Sequence, residues 1–327
     1  MFWLKLNQFC STKAVIMNYS KKNPKWSVMI PTYNCAIYLE QTLISVLKQD
    51  SGEDMMQIEV VDDCSTDDPY EVVKRIGGGR VKFCKQPINV GAVNNFNLCI
   101  ERAKGEFVHI LHGDDLVLHG FYDQIDFLIK HNLDCYLYAT RSNYINEINE
   151  IIGVSPLIET LRTVSKNNTS MFYTTPIQFA SVVLRRSFYD QNEKFDTSLI
   201  HTADVDMWAR AIYKGGGIVS THIFSSYRIF LGNDSSKLER SADNLKDLLR
   251  LCEKFDAHYP TFNKKIFKKM LASNAINQYF KFFKINDIVA MAEIEKFILN
   301  NFNFLNKMRF YLKKCSHQIL LINTLNF

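Results

Sequence analysis

From position 26 to about 138, apolar positions follow two alternating periods. Short apolar runs of strand length, "WSVMI" (26–30), "MQIEVVDD" (56–63), "VKFCK" (81–85), "FVHIL" (107–111) and "CYLYAT" (135–140), are separated by segments with helical spacing. In 36–49, Leu39, Leu43, Val46 and Leu47 form one such stripe; 69–76, 91–103 and 120–132 supply three more, with Pro69 at a helix-opening position. Strand–helix alternation predicts an α/β fold, a mostly parallel sheet flanked by helices on both faces. The loops that follow the strands, "PTYN", "DDCSTDD", "PINVGAVNN" and "HGDDL", then share one edge of the sheet, and all are rich in Asn, Asp, Ser, Thr or Gly. Open α/β sheets bind ligands at that edge.

The alternation lapses over 141–180, where "YINEINEIIG" fits a hairpin. "SVVLRRSFY" (181–189) reads as a strand running into a helix, "TADVDMWARAIYKGG" (202–216) as a helix, and "GIVSTHIFSSYRIF" (217–230) as strand. Beyond residue 235 the pattern is helical. The expected organisation is an extension over 1–25, an α/β domain over 26–234 and a helical region over 235–327.

Composition narrows the chemistry. Of 327 residues, 47% are hydrophobic and 22% charged, an ordinary globular balance with room for a large core. A net charge of +5 is too small to argue for nucleic acid. The eight cysteines form no C-x-x-C pair, which argues against zinc and for a reducing, cytoplasmic compartment. No run of 18 apolar residues occurs, so no spanning helix is expected. The first 25 residues lack the apolar stretch and flanks of a secretory leader and read as a loose extension, with Met17 an alternative start to Met1.

The strand "FVHIL" runs into His112, Gly113, Asp114 and Asp115. Gly and Asp are ordinary turn residues. Adjacent carboxylates at a ligand-binding edge also suit a divalent cation. No G-x-G-x-x-G follows the first strand and no G-x-x-x-x-G-K-[ST] occurs, so a bound nucleotide would need another way to neutralise its phosphates. Mg²⁺ or Mn²⁺ on Asp114 and Asp115 would serve, since such ions use one or two carboxylates plus substrate phosphates.

Four segments in order, "VMIPTYNCAIYLEQTLISVLKQ", "IEVVDDCSTDD", "NVGAVNNFNLCIERAKGEFVHILHGDD" and "FDTSLIHTADVDMWAR", resemble glycosyltransferase family 2 over roughly residues 26–230. The resemblance implies a GT-A fold, with a nucleotide-sugar half over about 26–118 and an acceptor half over about 119–234. It further implies transfer with inversion from a nucleotide-diphospho-sugar, here a UDP-sugar, in bacterial surface polysaccharide synthesis. The acceptor would be a glycan or a lipid-linked saccharide. Carried over residue by residue, Pro31, Thr32 and Tyr33 line the base, and Asp63 accepts from it; capping of the turn before Pro69 is the plainer reading of Asp63. Asn89 and Gly91 belong to the loop that closes over the nucleotide, whereas Asn94 and Asn97 suit capping or packing equally. His112 replaces the first acid of the family's D-x-D-D and could reach ribose or metal. Asp114 meets the donor and, with Asp115, the cation. Asp204 matches the catalytic base, against the plainer role of a first-turn helix acid; Asp206 points elsewhere, and Trp208 suits core or pocket wall.

Two departures, His112 and Ala203 where acids are usual, support a rival reading as a non-catalytic nucleotide-sugar-binding or scaffold protein. A nucleotidyltransferase would need a Gly- and Arg/Lys-rich loop after the first strand, which "PTYNCAIY" is not. Arg228, in "SYRIFLGNDSS", suits a diphosphate contact or a surface salt bridge. Lys264, Lys265, Lys268 and Lys269 fall among Phe262, Ile266, Phe267 and Leu271, which reads either as a core-packing amphipathic helix or as a peripheral contact with the inner face of a membrane.

Overall fold

The computed structural model describes residues 23–157, 172–173, 177–230 and 232–325. The extension expected over 1–25 therefore lies outside the described residues up to position 22. The alternating half forms as its periodicity requires: β1 (Trp26–Thr32), α1 (Ala36–Leu47), β2 (Met56–Asp62), α2 (Pro69–Gly77), β3 (Lys82–Lys85), α3 (Ala92–Arg102), β4 (Phe107–Ile110), β5 (Leu116–Val117) and α4 (Phe121–His131). The second half adds β6 (Leu137–Ile145), β7 (Ile151–Val154), β8 (Val182–Arg185), α5 (Arg186–Gln191), α6 (Ala203–Gly215) and β9 (Gly217–Arg228). Five helices follow: α7 (Asp234–Arg240), α8 (Asp243–His258), α9 (Lys264–Lys284), α10 (Ile288–Asn301) and α11 (Phe304–Leu325).

One nine-stranded sheet runs in the order β3-β2-β1-β4-β8-β6-β9-β5, with β7 paired to β6. Strands β1, β2, β3, β4, β6 and β9 share one direction, while β5, β7 and β8 oppose it. The fifth strand read from the sequence is longer than expected and is not the neighbour of β4. Strand β8 inserts antiparallel between β4 and β6, pairing Val108 with Leu184 on one side and Tyr138 with Val183 on the other. The hairpin expected near 144–153 is β6–β7.

Side-chain alternation on β1 divides the core between the two faces of the sheet. Trp26, Val28 and Ile30 join a cluster with α1, α2 and α4, including Leu39, Leu43, Val73, Phe121 and Ile125. Met29 faces the other cluster, which runs without a break through α3, α6 and the C-terminal helices to Phe310. Helices α8–α10 therefore pack on the same core that supports the sheet.

The apolar side of α9 faces inward, with Phe267, Leu271, Ala275 and Tyr279 buried, and Phe262 just before it is buried too. Ile266, expected to share that side, is 50% exposed. Lys264 binds Glu253 and Asp256, and Lys268 lies 3.4 Å from Glu253, so two of the four lysines expected to share a charged face are paired with carboxylates of α8. Among the described residues, no helix is long and apolar enough to cross a membrane.

Candidate active site

Parallel pairing sets the ends of β1, β2 and β4 side by side. Thr32 is in register with Asp62, and Leu111 and Gly113 donate their N–H groups to the carbonyls of Met29 and Pro31, at 2.9 and 3.1 Å. The loop after β4 thus begins against the loop after β1. Gly113 is required there by close approach: a Cβ would stand 2.8 Å from Thr32 Oγ1 and 2.9 Å from Cys35 Sγ. Thr42 on α1 fixes the same loop, its hydroxyl donating to the carbonyls of Gly113 (3.0 Å) and Asp115 (2.8 Å).

The first two loops are stitched to each other. Asn34, in the left-handed region at φ 49°, accepts from the Thr66 N–H at 2.8 Å, and Ser65 Oγ accepts from the Asn34 N–H at 2.9 Å. Asp67 accepts from the Ala36 N–H at 2.7 Å, which satisfies the start of α1 from a distance. Pro31 and Thr32 are buried at the end of β1, while Tyr33 is half-exposed beside them.

Asp63 is buried, and its carboxylate does not cap the turn before Pro69. One oxygen accepts from the Val90 N–H (2.8 Å) and the other from the Gly91 N–H (2.9 Å). The acid thereby holds the loop before α3, where Gly91 takes φ 87° and Asn89 accepts from the Gly91 N–H at 3.1 Å. Each carboxylate oxygen retains acceptor capacity for a further donor. Asn94, exposed, donates to the Val90 carbonyl at the start of α3, a local tie, whereas Asn97 exchanges two hydrogen bonds with the backbone of Phe195 and has a packing role.

One ligand atom each from His112, Asp114 and Asp115 lie within 4.8 Å of one another. Asp115 is 1% exposed; its Oδ1 accepts from the Arg228 N–H at 2.9 Å, whereas its Oδ2 is buried with no hydrogen-bond partner. Burial, and then the Asp114 charge, raise the Asp115 carboxyl well above the usual carboxylate range, against the pull of Arg228. Protein hydrogen bonds thus leave this carboxylate half-satisfied, and a divalent cation fits the donor set.

Arg228 is buried beneath the acidic loop and is not a surface ion pair. Its guanidinium donates to the carbonyls of Asp114 (2.8 Å) and Asn146 (2.9 Å) and to Gln41 Oε1 (3.0 Å), and it lies over the Tyr38 ring. It braces the backbone that presents Asp114 and Asp115. The sequence marks the residue but not this direction.

Asp204 stands in the first turn of α6 and accepts from the Val205 N–H at 2.8 Å, so the helix-start role is present in part. Burial raises its carboxyl above the ordinary range, while His201 opposes that rise. Burial together with the charges of Asp115, Asp114 and Asp204 drives the Tyr227 phenol upward, so the acidic loop and Asp204 act on one phenol from within electrostatic reach. Asp206 is fully buried, 2.8 Å from Arg210 and 3.1 Å from Lys254, and Trp208 packs on Phe179 and Phe195 in the core.

Sequence reasoning missed Asp247 on α8. It is fully buried and accepts from the N–H groups of Ile200 (3.2 Å), His201 (2.9 Å) and Thr202 (2.8 Å) and from the Thr202 hydroxyl (2.9 Å). A helical region outside the α/β alternation thus fixes the loop that carries Asp204. No local sequence signal marks this acid, because all its backbone partners lie more than 40 positions away.

A sheet of mostly parallel strands flanked by helices is the expected GT-A architecture, and solved structures bear out that fold. The structure superimposes with a TM-score of 0.57 on residues 1–349 of S. aureus TarS in complex with UDP-GlcNAc, at 21% identity over 79% of this chain and 73% of that one. It also matches the mannosyltransferase PcManGT from Pyrobaculum calidifontis, solved with GDP-Man and Mn²⁺, at a TM-score of 0.57, 16% identity and coverage of 91% and 81%. Residues 27–191 match the model of glycosyl transferase family 2, and the chain belongs to that family. In sequence it is 23% identical over 280 residues to the poly(ribitol-phosphate) beta-N-acetylglucosaminyltransferase TarS of Staphylococcus aureus, covering 83% of this chain and 47% of that protein. The chain therefore spans about half the length of TarS. It is 26% identical over 230 residues to the UDP-Glc:alpha-D-GlcNAc-diphosphoundecaprenol beta-1,3-glucosyltransferase WfaP of Escherichia coli, covering 68% and 82%.

Proposed function

We propose that this chain moves one hexosyl or N-acetylhexosaminyl group, with inversion, from a UDP-linked donor to a glycan or lipid-linked acceptor in bacterial surface polysaccharide assembly. The observations that support the reading are that Asp63 and the His112–Asp115 loop follow β2 and β4, the two parallel neighbours of β1, and that Asp114, Asp115 and Asp204 all act on Tyr227 near the end of β9. TarS, a poly(ribitol-phosphate) glycosyltransferase, and WfaP, which acts on a GlcNAc-diphosphoundecaprenol, support the acceptor class, and the UDP-GlcNAc complex of TarS supports the donor.

In this reading Pro31, Thr32 and Tyr33 flank the base, and Asp63 accepts a base N–H through the lone pairs that Val90 and Gly91 leave over. Asn89 and Gly91 close over the nucleotide. His112 stands where its imidazole can reach ribose or metal, Asp114 faces the diphosphate, and Asp114 and Asp115 would hold Mn²⁺ or Mg²⁺. When bound, the cation neutralises charge on the departing nucleoside diphosphate. Asp204 accepts the proton of the attacking acceptor hydroxyl from the face opposite the leaving group. Its upward shift brings a carboxylate closer to working pH, which suits a general base.

The protein would work on the cytoplasmic side, with no nucleic-acid partner. Peripheral attachment to the membrane through the C-terminal region fits the exposed Lys265, Ile266 and Lys269 on α9 and Phe304, Leu305 and Leu312 on α11. The test of function is transfer itself. With a panel of UDP-sugars, Asp204→Asn should bind donor as the parent does and turn over about a hundredfold more slowly or worse. Equal turnover would remove Asp204 as the base, and absence of transfer by the parent with every donor and acceptor tried would favour the scaffold.

A further inference from the structure

The ring of His112 is held between two aromatic faces. It stacks on Phe96 at 5.1 Å and 14°, and it meets Phe179 at 4.4 Å and 39°. Those contacts fix the plane of the imidazole. Its Nδ1 lies 3.9 Å from Asp115 Oδ2. That separation exceeds the ~2.7–3.2 Å of a hydrogen bond. Two donor atoms each about 2.1 Å from one ion are about 3.0–4.2 Å apart, according to the angle between them. The Oδ2 in question is buried and accepts no hydrogen bond, while the other oxygen of the same carboxylate is committed to the Arg228 N–H. The gap between Nδ1 and Oδ2 falls inside that range, toward its wide end, and so leaves room for a shared ion.

We propose that His112 is itself a metal ligand and that its imidazole sets the identity of the metal, favouring Mn²⁺, Co²⁺ or Zn²⁺ over Mg²⁺. The inference rests on the metal reading of Asp114 and Asp115 given above. Two physical effects act in the same direction. A nitrogen donor suits the later divalent ions, whereas Mg²⁺ prefers oxygen in near-octahedral geometry and gives up its water reluctantly. A neutral imidazole also contributes no negative charge, and a hard ion such as Mg²⁺ gains most of its binding from charge. The aromatic clamp adds a third element: a ring that cannot turn away is pre-organised for one coordination direction.

The test is electron spin-echo spectroscopy of Mn²⁺ bound to the full chain in the presence of UDP, with calorimetry of Mn²⁺ and Mg²⁺ beside it. The wild type should show ¹⁴N modulation from a directly bound imidazole. His112→Asp, which restores an oxygen ligand, and His112→Phe, which keeps the stacking, should both lose it. In His112→Asp the preference for Mn²⁺ over Mg²⁺ should fall about tenfold or more. Mn²⁺ bound without ¹⁴N modulation, or an unchanged metal preference in His112→Asp, would overturn the inference and leave the carboxylate site standing. Failure of the wild type to bind Mn²⁺, with or without UDP, would overturn both this inference and the metal reading beneath it.

Discussion

Replacing Asp247 by asparagine tests whether the C-terminal helices position the catalytic machinery. In the wild type, Oδ2 accepts from the N–H groups of His201 and Thr202 and from the Thr202 hydroxyl, while Oδ1 accepts from Ile200 and Arg250. Asparagine keeps one acceptor oxygen and turns an NH₂ group against the donors on the other side. If the oxygen takes the Oδ2 place, the Ile200 N–H loses its partner; if it takes the Oδ1 place, three donors from His201 and Thr202 lose theirs. Hydrogen bonds to a buried charge contribute about 1.5–3 kcal/mol each, without simple additivity. Removing a buried charged partner costs about 3–5 kcal/mol, so a loss near 3 kcal/mol is expected. The released loop leads straight into α6, where Asp204 is the second residue. Misplacing a reacting group by about 1 Å reduces rate by roughly a hundredfold. Asp247→Asn should therefore lower kcat by ten- to a hundredfold with donor affinity little changed, read by steady-state kinetics, donor calorimetry and urea denaturation together. Arg250→Ala removes only a half-exposed ion pair and serves as control, with a cost below about 1 kcal/mol. A kcat equal to that of the parent in a destabilised Asp247→Asn would refute the positioning argument and reduce this acid to a structural tie.

Three further outcomes follow from the same structure. Asp204→Asn should be more heat-stable than the parent at neutral pH. Its raised proton affinity means that the folded state disfavours the ionised form, and the gain should vanish as pH falls and the parent carboxyl protonates; a variant less stable than the parent throughout would contradict this. His109 is fully buried between Tyr122 and the Ala180 carbonyl, and burial lowers its pKa from 6.5 to about 4. The unfolded chain then binds the extra proton, so stability should rise by about 3 kcal/mol between pH 4 and 6.5, and the stability–pH slope of His109→Gln over that window should be flatter. Finally, the protein should co-sediment with anionic but not neutral liposomes and be released by salt; equal recovery in the supernatant with both would assign the exposed C-terminal residues to another role.

Local periodicity carries much of this architecture. Every strand and helix from β1 to α4 except the two-residue β5 is visible as a change from strand-like to helical spacing, because each of them but the exposed β3 buries an apolar stripe on one or other of the two core clusters. The order of the strands is less legible. Strand β8 reaches its place between β4 and β6 through contacts with residues 43 to 78 positions earlier, and no residue pattern in "SVVLRR" encodes those partners. The site divides in the same way. Asp63, Asp114, Asp115 and Asp204 stand at strand or helix ends, where an acid is conspicuous. Arg228 and Asp247 act by bonding to distant backbone; the sequence marks Arg228 as a candidate but not those partners, and nothing beside Asp247 marks it at all. The α9 lysines show the converse: spacing placed four of them near one face, but the carboxylates of α8 engage Lys264 and Lys268.

Calorimetric titration of UDP, UDP-GlcNAc, UDP-Glc and GDP-mannose, with Mn²⁺ or with a chelator, into the wild type and Asp114→Asn tests the central claim most directly. The account predicts that UDP and at least one UDP-sugar bind the wild type in Mn²⁺, that the chelator or Asp114→Asn weakens that binding about tenfold or more, and that GDP-mannose binds less well. Nucleotide affinity indifferent to both the metal and Asp114, in protein of unchanged thermal stability, would contradict it.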